Sequence, residues 1–306
     1  NPAAIVLVEA EIWPNLFWQA KSANVPVHLV NARLSENSFN GYRRYAFLFK
    51  PLFRSLHAAG VHNEFDGERL EKLGCDRNDI TVTGNMKFDG PVASGADTAD
   101  ARALLREVGV SDEAPVLVAG STFEGEEELL CKLLAQWRKR YPDLFLVLVP
   151  RHFERAGAVL ENLKHLNLRI IRRTAMNTEV DKPDVLLVDT TGELKAFYEV
   201  ATLVFVGKSL TAQGGQNPIE PAALGRPIVF GPFMQNFRSV VQSLLEAEAA
   251  IQVMDEAELS RQVSVLLGNP EQCAALGTAA KAVVKGNKGA TQRTAELIGR
   301  TLRALG

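Results

Sequence analysis

The sequence predicts an α/β fold with two doubly wound, Rossmann-like domains, the first of them incomplete. Three observations support this prediction. A chain of 306 residues has room for about two domains. Short apolar runs alternate with helical patterns along most of its length, as expected for parallel sheets with crossover helices. Residues 88–113 differ in character, since Gly90, Pro91 and Gly95 lie among small and polar residues, so we place a domain boundary there.

Residues 1–90 are predicted to form the later half of the first domain. The predicted strands are residues 4–8, 25–30, 57–61 and 80–83. The predicted helices are residues 14–23, 39–56 with a break near Pro51, and 66–73 closed by Gly74. Three or four strands make only part of a doubly wound sheet, and the chain starts at Asn1 without a methionine. We therefore expect a longer natural protein that has lost its beginning here.

Residues 91–114 are predicted as a linker with one helix at about 97–108, and residues 115–287 as a second domain. The strands predicted in it are residues 116–120, 144–149, 168–172, 185–188, 203–207 and 228–231. The helices predicted in it are residues 124–140, 154–166, 193–200, 237–249, 256–267 and 270–284. A last helix at 290–305, within residues 288–306, is expected to pack back on the first domain.

Composition excludes several classes of protein. The formal net charge of −2 argues against broad nucleic-acid binding, which usually needs a basic surplus. Cys75, Cys131 and Cys273 lie far apart without a CxxC spacing, so we predict neither a disulfide framework nor a zinc site, and an intracellular setting fits. No run of about 18 apolar residues predicts a membrane span. No cofactor or metal is predicted.

The stretch between the last two predicted strands, residues 214–227, combines a turn with a helix start. Asn217 suits an N-cap, Pro218 suits the first helical position, and Glu220 follows the cap by three residues. A helix that begins at the carboxyl end of a strand lies where open α/β sheets bind ligands, and its free N–H groups favour an anion. Alternatively, Glu220 is only the partner of the cap, a role compatible with binding.

Polar residues follow four predicted strands of the second domain, and parallel strands bring their carboxyl ends to one edge. The loops are Ser121-Thr122, Pro150-Arg151-His152, Thr190-Thr191-Gly192-Glu193 and residues 214–220. Arg151 suits a phosphate, although Arg151 and His152 are alternatively a surface pair. Glu193 or Glu220 suits a ribose diol or a base amine. These groups favour nucleotide binding over covalent catalysis. No GxGxxG or Walker loop follows a strand, and the nucleophile motif GxSxG is absent.

Six short motifs then occur in a fixed order along nearly the whole chain. They are Glu9-Ala10-Glu11-Ile12-Trp13-Pro14-Asn15, Asn31-Ala32-Arg33-Leu34-Ser35, residues 82–89 (VTGNMKFD), residues 121–127 (STFEGEE), residues 150–155 (PRHFER) and residues 214–220 (GGQNPIE). In this order they resemble the 3-deoxy-D-manno-octulosonic acid (Kdo) transferases. The resemblance implies the glycosyltransferase B fold, with the acceptor domain first and the donor domain second. It also implies inverting transfer of Kdo from CMP-Kdo to lipid A precursor (lipid IVA) at the cytoplasmic side of the inner membrane. Because the sequence has no cluster with metal-ligand spacing, we predict that the leaving group is stabilised without a metal.

The resemblance also implies roles for individual residues. CMP contacts are implied for Pro150, Arg151, Thr191, Gly192, Glu193, Asn217, Pro218, Ile219 and Glu220, and Ser121 lies in the same set of loops. Glu9 and Lys87 are implied to stabilise the transition state, with Lys87 meeting the departing phosphate. From the residues alone, Glu9 and Glu11 equally suit a helix start, and Lys87 a solvated lysine. The implied general base is a glutamate in a Val-Gly-Glu motif, absent before Glu9, so we expect this chain alone to be inactive.

Other positions leave alternatives open. The family often has His at 123, Gly at 208 and His at 216, where this chain has Phe123, Lys208 and Gln216. Lys208 either adds a phosphate contact or points into solvent. Three aromatic residues are predicted to pack in the core: Trp13, Phe17 and Trp18. The basic run at 39–56 is either a plain amphipathic helix or a helix that contacts anionic lipid headgroups. The alternative functions are another glycosyltransferase B enzyme, a UDP-sugar 2-epimerase, or a nucleotide-binding fragment without turnover.

Overall fold

The computed structural model describes residues 2–9, 12–90, 100–176 and 182–305, except for the side chains of residues 301, 304 and 305. The chain divides into two compact units. The first unit is Asn1–Pro91 with Asn287–Gly306, and the second unit is Val92–Gly286. The predicted linker begins with residues 91–99, which lie outside the described residues, as does Glu11.

The described part of the first unit contains one parallel sheet, as predicted. Its strands are β1 (Ile5–Val8), β2 (Val27–Ala32), β3 (Ala58–Val61) and β4 (Ile80–Val82), in the order β1-β2-β3-β4. Its helices are α1 (Pro14–Ser22), α2 (Glu36–Arg44), α3 (Ala46–Arg54), α4 (Glu64–Leu73) and α13 (Ala290–Leu305). Every strand pair is parallel, and Phe17, Leu29, Phe53 and Leu70 are among the buried side chains that form the core.

The predicted helix at 39–56 is two helices, and the predicted break was wrong. The chain leaves helical geometry at Tyr45 (φ −110°, ψ 37°), whereas Pro51 lies inside α3. The first helix also begins earlier than predicted, because the hydroxyl of Ser35 accepts a hydrogen bond from the Ser38 N–H at 3.1 Å. The fixed φ of proline fits a helix, so a single proline does not always end one.

Only one of the three aromatic residues predicted for the core is buried. Phe17 is 2% exposed, whereas Trp13 is 60% and Trp18 52% exposed. Phe17 and Ala20 lie three residues apart and share the buried face of α1. Trp13 precedes the helix as its N-cap, and Trp18 is one residue past Phe17 and therefore points elsewhere.

The second unit is built on a larger parallel sheet. Among the described residues its strands are β5 (Val116–Thr122), β6 (Phe145–Pro150), β7 (Ile170–Arg172), β8 (Val185–Leu187), β9 (Leu203–Val206), β10 (Ile228–Phe230) and β11 (Ile251–Gln252). Their order is β11-β10-β9-β5-β6-β8-β7, and all pairs are parallel. The two-residue strand β11 was not predicted, since two residues give no periodic signal. The parallel, doubly wound pattern is confirmed.

The helices of the second unit lie at the predicted positions, but most of them are shorter than predicted. They are α5 (Ala101–Glu107), α6 (Glu126–Trp137), α7 (Ala156–Leu163), α8 (Leu194–Val200), α9 (Ile219–Ala223), α10 (Arg238–Glu246), α11 (Glu256–Leu267) and α12 (Pro270–Asn287). Buried apolar residues of β5, β6, β8 and β9 pack against α6, α7 and α11. None of the helices in the described ranges is both long enough and apolar enough to cross a membrane.

The last helix, α13, contacts strands and turns of its own unit. The carboxylate of Asp89 accepts hydrogen bonds from the N–H groups of Gly289 at 2.7 Å and Thr291 at 2.6 Å, at the start of α13. Arg293 donates from Nε to the carbonyl of Thr83 at 2.9 Å. Residues 83–89 and the last helix are therefore held together by polar contacts.

Candidate functional site

The four polar loops of the second unit follow four neighbouring strands. In the sheet these strands stand in the order β9-β5-β6-β8. Because all of them are parallel, the loops after them leave the sheet at the same edge, where ligands of open α/β sheets bind. The strand order therefore brings the four predicted loops to one edge, as expected from the sequence.

A buried carboxylate joins the first of these loops to the last. Glu126 is fully buried, and its two oxygens accept hydrogen bonds from four backbone N–H groups. The donors are Phe123 at 2.9 Å, Lys208 at 2.7 Å, Ser209 at 2.9 Å and Leu210 at 3.0 Å. Glu126 thus fixes the chain after β5 to the chain after β9. From the sequence, Glu126 was only a member of the motif at 121–127, without a predicted role.

Its neighbour Glu127 ties the same loop to the end of β6. The Glu127 carboxylate accepts from the Thr122 hydroxyl at 3.0 Å and pairs with Arg155 at 3.1 Å. The N–H of Arg151 donates to the carbonyl of Thr122 at 3.0 Å. Burial raises the pKa of Glu127, although Arg155 and Thr122 oppose this shift. The first two loops are therefore rigidly connected.

The side chain of Arg151 is exposed and available to a ligand. No hydrogen bond or ion pair of its guanidinium occurs within the described part of the chain. Ser121, one residue before the end of the adjacent strand β5, has a left-handed backbone with φ 54°. A serine rarely adopts this conformation, and strained residues cluster at binding sites. The predicted residues Ser121, Pro150 and Arg151 therefore lie on two adjacent strand ends.

The loop after β9 leads into a short helix. Helix α9 has five residues and begins at Ile219, one residue later than expected. The Asn217 side chain accepts from the Ile219 N–H at 3.0 Å and donates to Glu220 at 3.0 Å, so the capping contact joins two side chains. Gly225, with φ 71°, ends the helix.

Glu220 is half-buried at the start of this helix. One of its oxygens accepts from Asn217, and its charge contributes, after burial, to raising the pKa of Tyr198. The Tyr198 ring lies against Gly120, where a Cβ atom would be 1.9 Å from the Tyr198 hydroxyl oxygen. Glu220 is therefore close to the end of β5, and its carboxylate is anchored by one hydrogen bond.

Glu193 is already engaged by protein groups. Arg173, which follows β7, donates from Nε at 3.1 Å and pairs with the Glu193 carboxylate at 3.0 Å. The Thr190 hydroxyl also donates to this carboxylate. The neighbouring residues Thr191 and Gly192 are exposed. The Glu193 carboxylate therefore faces the β7 side of β8, whereas Arg151 follows β6 on the other side of β8. Thr191 and Gly192 remain accessible.

In the first unit, the two predicted catalytic residues meet. Lys87 Nζ lies 3.1 Å from a carboxylate oxygen of Glu9, and both side chains are partly exposed. Glu9 does not start a helix; it ends β1 in a turn, with φ 66°, a conformation uncommon for glutamate. Lys87 is therefore held in an ion pair with Glu9, whose backbone is strained just after β1.

A buried asparagine holds the backbone next to Lys87. Asn31, which is 3% exposed and has φ 51°, accepts at Oδ1 from the Met86 N–H at 2.9 Å. The same oxygen is 2.9 Å from Nε2 of His62. Because Met86 N–H is a donor, the Asn31 atom facing it must be oxygen, so Nε2 of His62 must also donate. The second ring nitrogen of His62, Nδ1, is buried and unbonded within the described residues.

His62 is consequently neutral near pH 7. Burial lowers its pKa to about 4, with help from Arg33 and Lys87, while Glu9 opposes the shift. A histidine in the unfolded chain has a pKa of about 6.5. The unfolded state therefore binds the proton first as the pH falls, and the stability of the first unit falls between pH 6.5 and 4.

Replacing His62 should reduce this acid sensitivity. In His62→Gln, an amide N–H can replace the donor to Asn31, but the side chain no longer titrates. We expect the variant to lose less stability than the wild type between pH 7 and pH 5, by at most about 2 kcal/mol. Urea unfolding at the two pH values measures the difference, with the exposed His152→Gln as control. An equal loss in wild type and His62→Gln would contradict the assignment of the proton to His62.

Sequence reasoning found the charged residues of both sites but not the buried groups that hold them. Asn31 and Glu126 occur in quoted motifs, yet no role was assigned to them. In the sequence, Asn31 and Glu126 are each marked only as a polar residue close to the end of an apolar run. Their partners come from distant parts of the chain, 55 residues away for Asn31 and Met86, and 82 for Glu126 and Lys208.

Comparison with known proteins adds a family. A family model described as 3-deoxy-D-manno-octulosonic-acid transferase (kdotransferase) matches residues 1–90. A 3-deoxy-D-manno-octulosonic acid transferase of Haemophilus influenzae is 33% identical over 304 residues, covering 97% of this chain and 69% of that protein.

Solved structures resemble both parts of the chain. The C-terminal CMP-Kdo binding domain of WaaA from Acinetobacter baumannii is 31% identical with a TM-score of 0.55, covering 60% of this chain and 95% of that domain. A UDP-GlcNAc 2-epimerase from Neisseria meningitidis bound to UDP-GlcNAc has a TM-score of 0.60 at 13% identity, covering 98% of this chain and 76% of that one. The second likeness concerns the fold alone. Together with the two parallel sheets, these matches confirm the predicted glycosyltransferase B fold.

Proposed function

Because this chain belongs to the Kdo transferase family, glycosyltransferases of lipopolysaccharide biosynthesis in Gram-negative bacteria, we propose that it binds CMP-Kdo through its second unit and takes part in inverting transfer of Kdo to a lipid A precursor. The observation that carries this proposal is the 31% identity to a CMP-Kdo binding domain over 95% of that domain. The four loops at one edge of the matching sheet provide the residues for it.

In the proposed donor site each group has a chemical task. Arg151, whose guanidinium is unpaired among the described residues, binds the phosphate of CMP. Glu220 keeps one carboxylate oxygen beyond its bond to Asn217 and accepts from the ribose hydroxyls. The exposed Thr191 and Gly192 offer a hydroxyl and a backbone N–H, while Glu193 fixes their loop through Arg173. Pro150, Pro218 and Ile219 shape the walls.

The Glu9–Lys87 pair is proposed to act on the transition state. As the bond from the anomeric carbon to CMP breaks, negative charge grows on the phosphate and positive charge on the sugar ring. Lys87 stabilises the first charge, and Glu9 offsets the second or orients the acceptor hydroxyl. The 3.1 Å ion pair keeps both side chains oriented before the reaction. No metal ion is needed in this scheme, because positively charged side chains stabilise the leaving group.

The acceptor side of the proposal rests on the family. The acceptor is a lipid A precursor such as lipid IVA, and the enzyme works at the cytoplasmic side of the inner membrane. The general base is proposed to be a glutamate of the Val-Gly-Glu type, which would be placed before Glu9 in the sequence. Transfer is therefore best measured on the full-length protein, and donor binding on this chain.

Donor binding tests the proposal directly. In titrations of this chain with CMP, Arg151→Ala should weaken binding about tenfold or more, the loss of a charge-assisted hydrogen bond. Glu220→Ala should weaken it about fivefold through the lost ribose contact. Arg261→Ala, an exposed arginine on α11, serves as control.

Two results would overturn the assignment. Unchanged CMP affinity in both Arg151→Ala and Glu220→Ala removes the site from these loops. Tighter binding of UMP or UDP than of CMP would instead favour the alternative function, that of an enzyme acting on a UDP-sugar.

A further inference from the structure

Lys208 has an unusual place at the edge of the second sheet. It follows Gly207 at the end of β9, and its φ is 54°, a left-handed conformation that favours glycine. Its N–H is held by Glu126 at 2.7 Å, and its carbonyl accepts from the Gly215 N–H at 2.9 Å. Both backbone groups of Lys208 are thus fixed, and the direction in which its side chain leaves is fixed with them.

The Lys208 side chain lies across the proposed donor loops. Its Nζ is 5.0 Å from the centre of the Phe123 ring, in the loop after β5. Its Cε passes beside Gly214, where a Cβ atom would be 3.7 Å away. Phe123 attracts a second cation as well, since the Arg155 guanidinium is 5.6 Å from the ring centre. The ammonium group therefore sits between the loop after β5 and the loop after β9.

These two positively charged side chains differ in their ion-pair partners. Arg155 is neutralised by the buried carboxylate of Glu127 at 3.1 Å. Lys208 has no carboxylate within ion-pair distance among the residues that the structure describes. Glu126, which accepts from the Lys208 backbone N–H, is occupied by four N–H groups. Lys208 is half-buried, and its ammonium group, which has no carboxylate partner in the described ranges, is suited to an anionic ligand at this edge of the sheet.

We propose that Lys208 binds an anionic oxygen group of the donor, either the phosphate or the sugar carboxylate of CMP-Kdo. This inference rests on the proposed function and adds a specificity residue to it. Of the two alternatives left open by the sequence, the position of Nζ over Phe123 favours a ligand contact over a solvent-directed side chain. The Phe123 ring keeps the ammonium in place before the donor arrives.

The test uses an exchange that removes the charge and keeps the backbone. Lys208→Asn suits it, because asparagine tolerates left-handed φ values better than most residues. Lys182→Asn is the matched control. Lys182 is an exposed lysine of the same unit with φ 47°, and it precedes β8, at the opposite edge of the sheet.

Three ligands separate the two sources of the anion. If Lys208 binds the phosphate, Lys208→Asn weakens CMP about 5- to 30-fold and leaves cytidine unchanged. If it binds the carboxylate, CMP affinity is unchanged and the KM for CMP-Kdo of the full-length protein rises by the same factor. Lys208→Arg, which keeps the charge, should recover most of the loss in either case.

Several outcomes overturn the proposal. They are unchanged CMP affinity together with unchanged KM in Lys208→Asn, equal losses in Lys182→Asn, or no recovery in Lys208→Arg while the variant unfolds at the wild-type temperature. Failure of the wild type itself to bind CMP is a different result. It removes the proposed function, whereas a loss confined to the variants concerns Lys208 alone.

Discussion

Glu126→Gln is expected to lower the free energy of unfolding of the second unit by about 3 kcal/mol or more. The wild-type carboxylate is fully buried and accepts hydrogen bonds from four N–H groups. A glutamine has only one acceptor oxygen, and its NH2 group would face N–H donors. At least two backbone N–H groups would then be buried without an acceptor, each costing about 1–3 kcal/mol.

Urea unfolding followed by circular dichroism measures this loss, and Glu124→Gln is the control. Glu124 is an exposed glutamate in the same loop, so the control makes the same chemical change without removing buried acceptors. CMP affinity should fall together with stability, because Glu126 holds the backbone of Lys208 and the loop after β5. Equal stabilities of Glu124→Gln and Glu126→Gln would show that the four hydrogen bonds do not hold the loops.

The contrast between these two glutamates shows where sequence reasoning reached its limit. Both stand in one short motif and both suit the start of a helix. Only the fold distinguishes them, since three of the N–H donors to Glu126 come from residues 82 to 84 positions later in the chain. A local pattern carries no information about such partners.

The elements themselves were largely predictable because their signals are local. Buried strands such as Val116–Thr122 and Phe145–Pro150 are continuous apolar runs, and parallel pairing follows from the helices between them. Errors occurred where local signals compete. Pro51 suggested a helix break, but the break occurs at Tyr45. Pro218 suggested the first helical position, but helix α9 begins at Ile219.

The candidate sites divide in the same way. Parallel strands bring their carboxyl ends to one edge, so the loops of Arg151 and Glu220 were predictable from the sequence. The roles of Glu9 and Lys87 came from resemblance, and the structure adds their 3.1 Å contact. The pairing of Glu193 with Arg173 was not predictable, because it depends on β7 lying next to β8 in the sheet.

Lys87→Met is expected to lower the kcat for Kdo transfer by the full-length protein by about 10²- to 10³-fold, the usual effect of removing one group that stabilises transition-state charge. The affinity for CMP should change far less than kcat, since the other proposed CMP contacts belong to the second unit. A loss of kcat with little change in KM is the signature of an interaction made mainly in the transition state.

The matched control is Lys72→Met, because Lys72 also belongs to the first unit and also pairs with a glutamate, Glu68, at 3.7 Å. That pair is exposed on helix α4, where an ion pair contributes at most about 1 kcal/mol. Release of CMP from CMP-Kdo in the presence of lipid acceptor measures both variants. If Lys87→Met and Lys72→Met keep equal kcat, the ion pair at Glu9 is only a surface contact. If Lys87→Met alone loses kcat and Lys87→Arg recovers part of it, the positive charge is what the transition state requires.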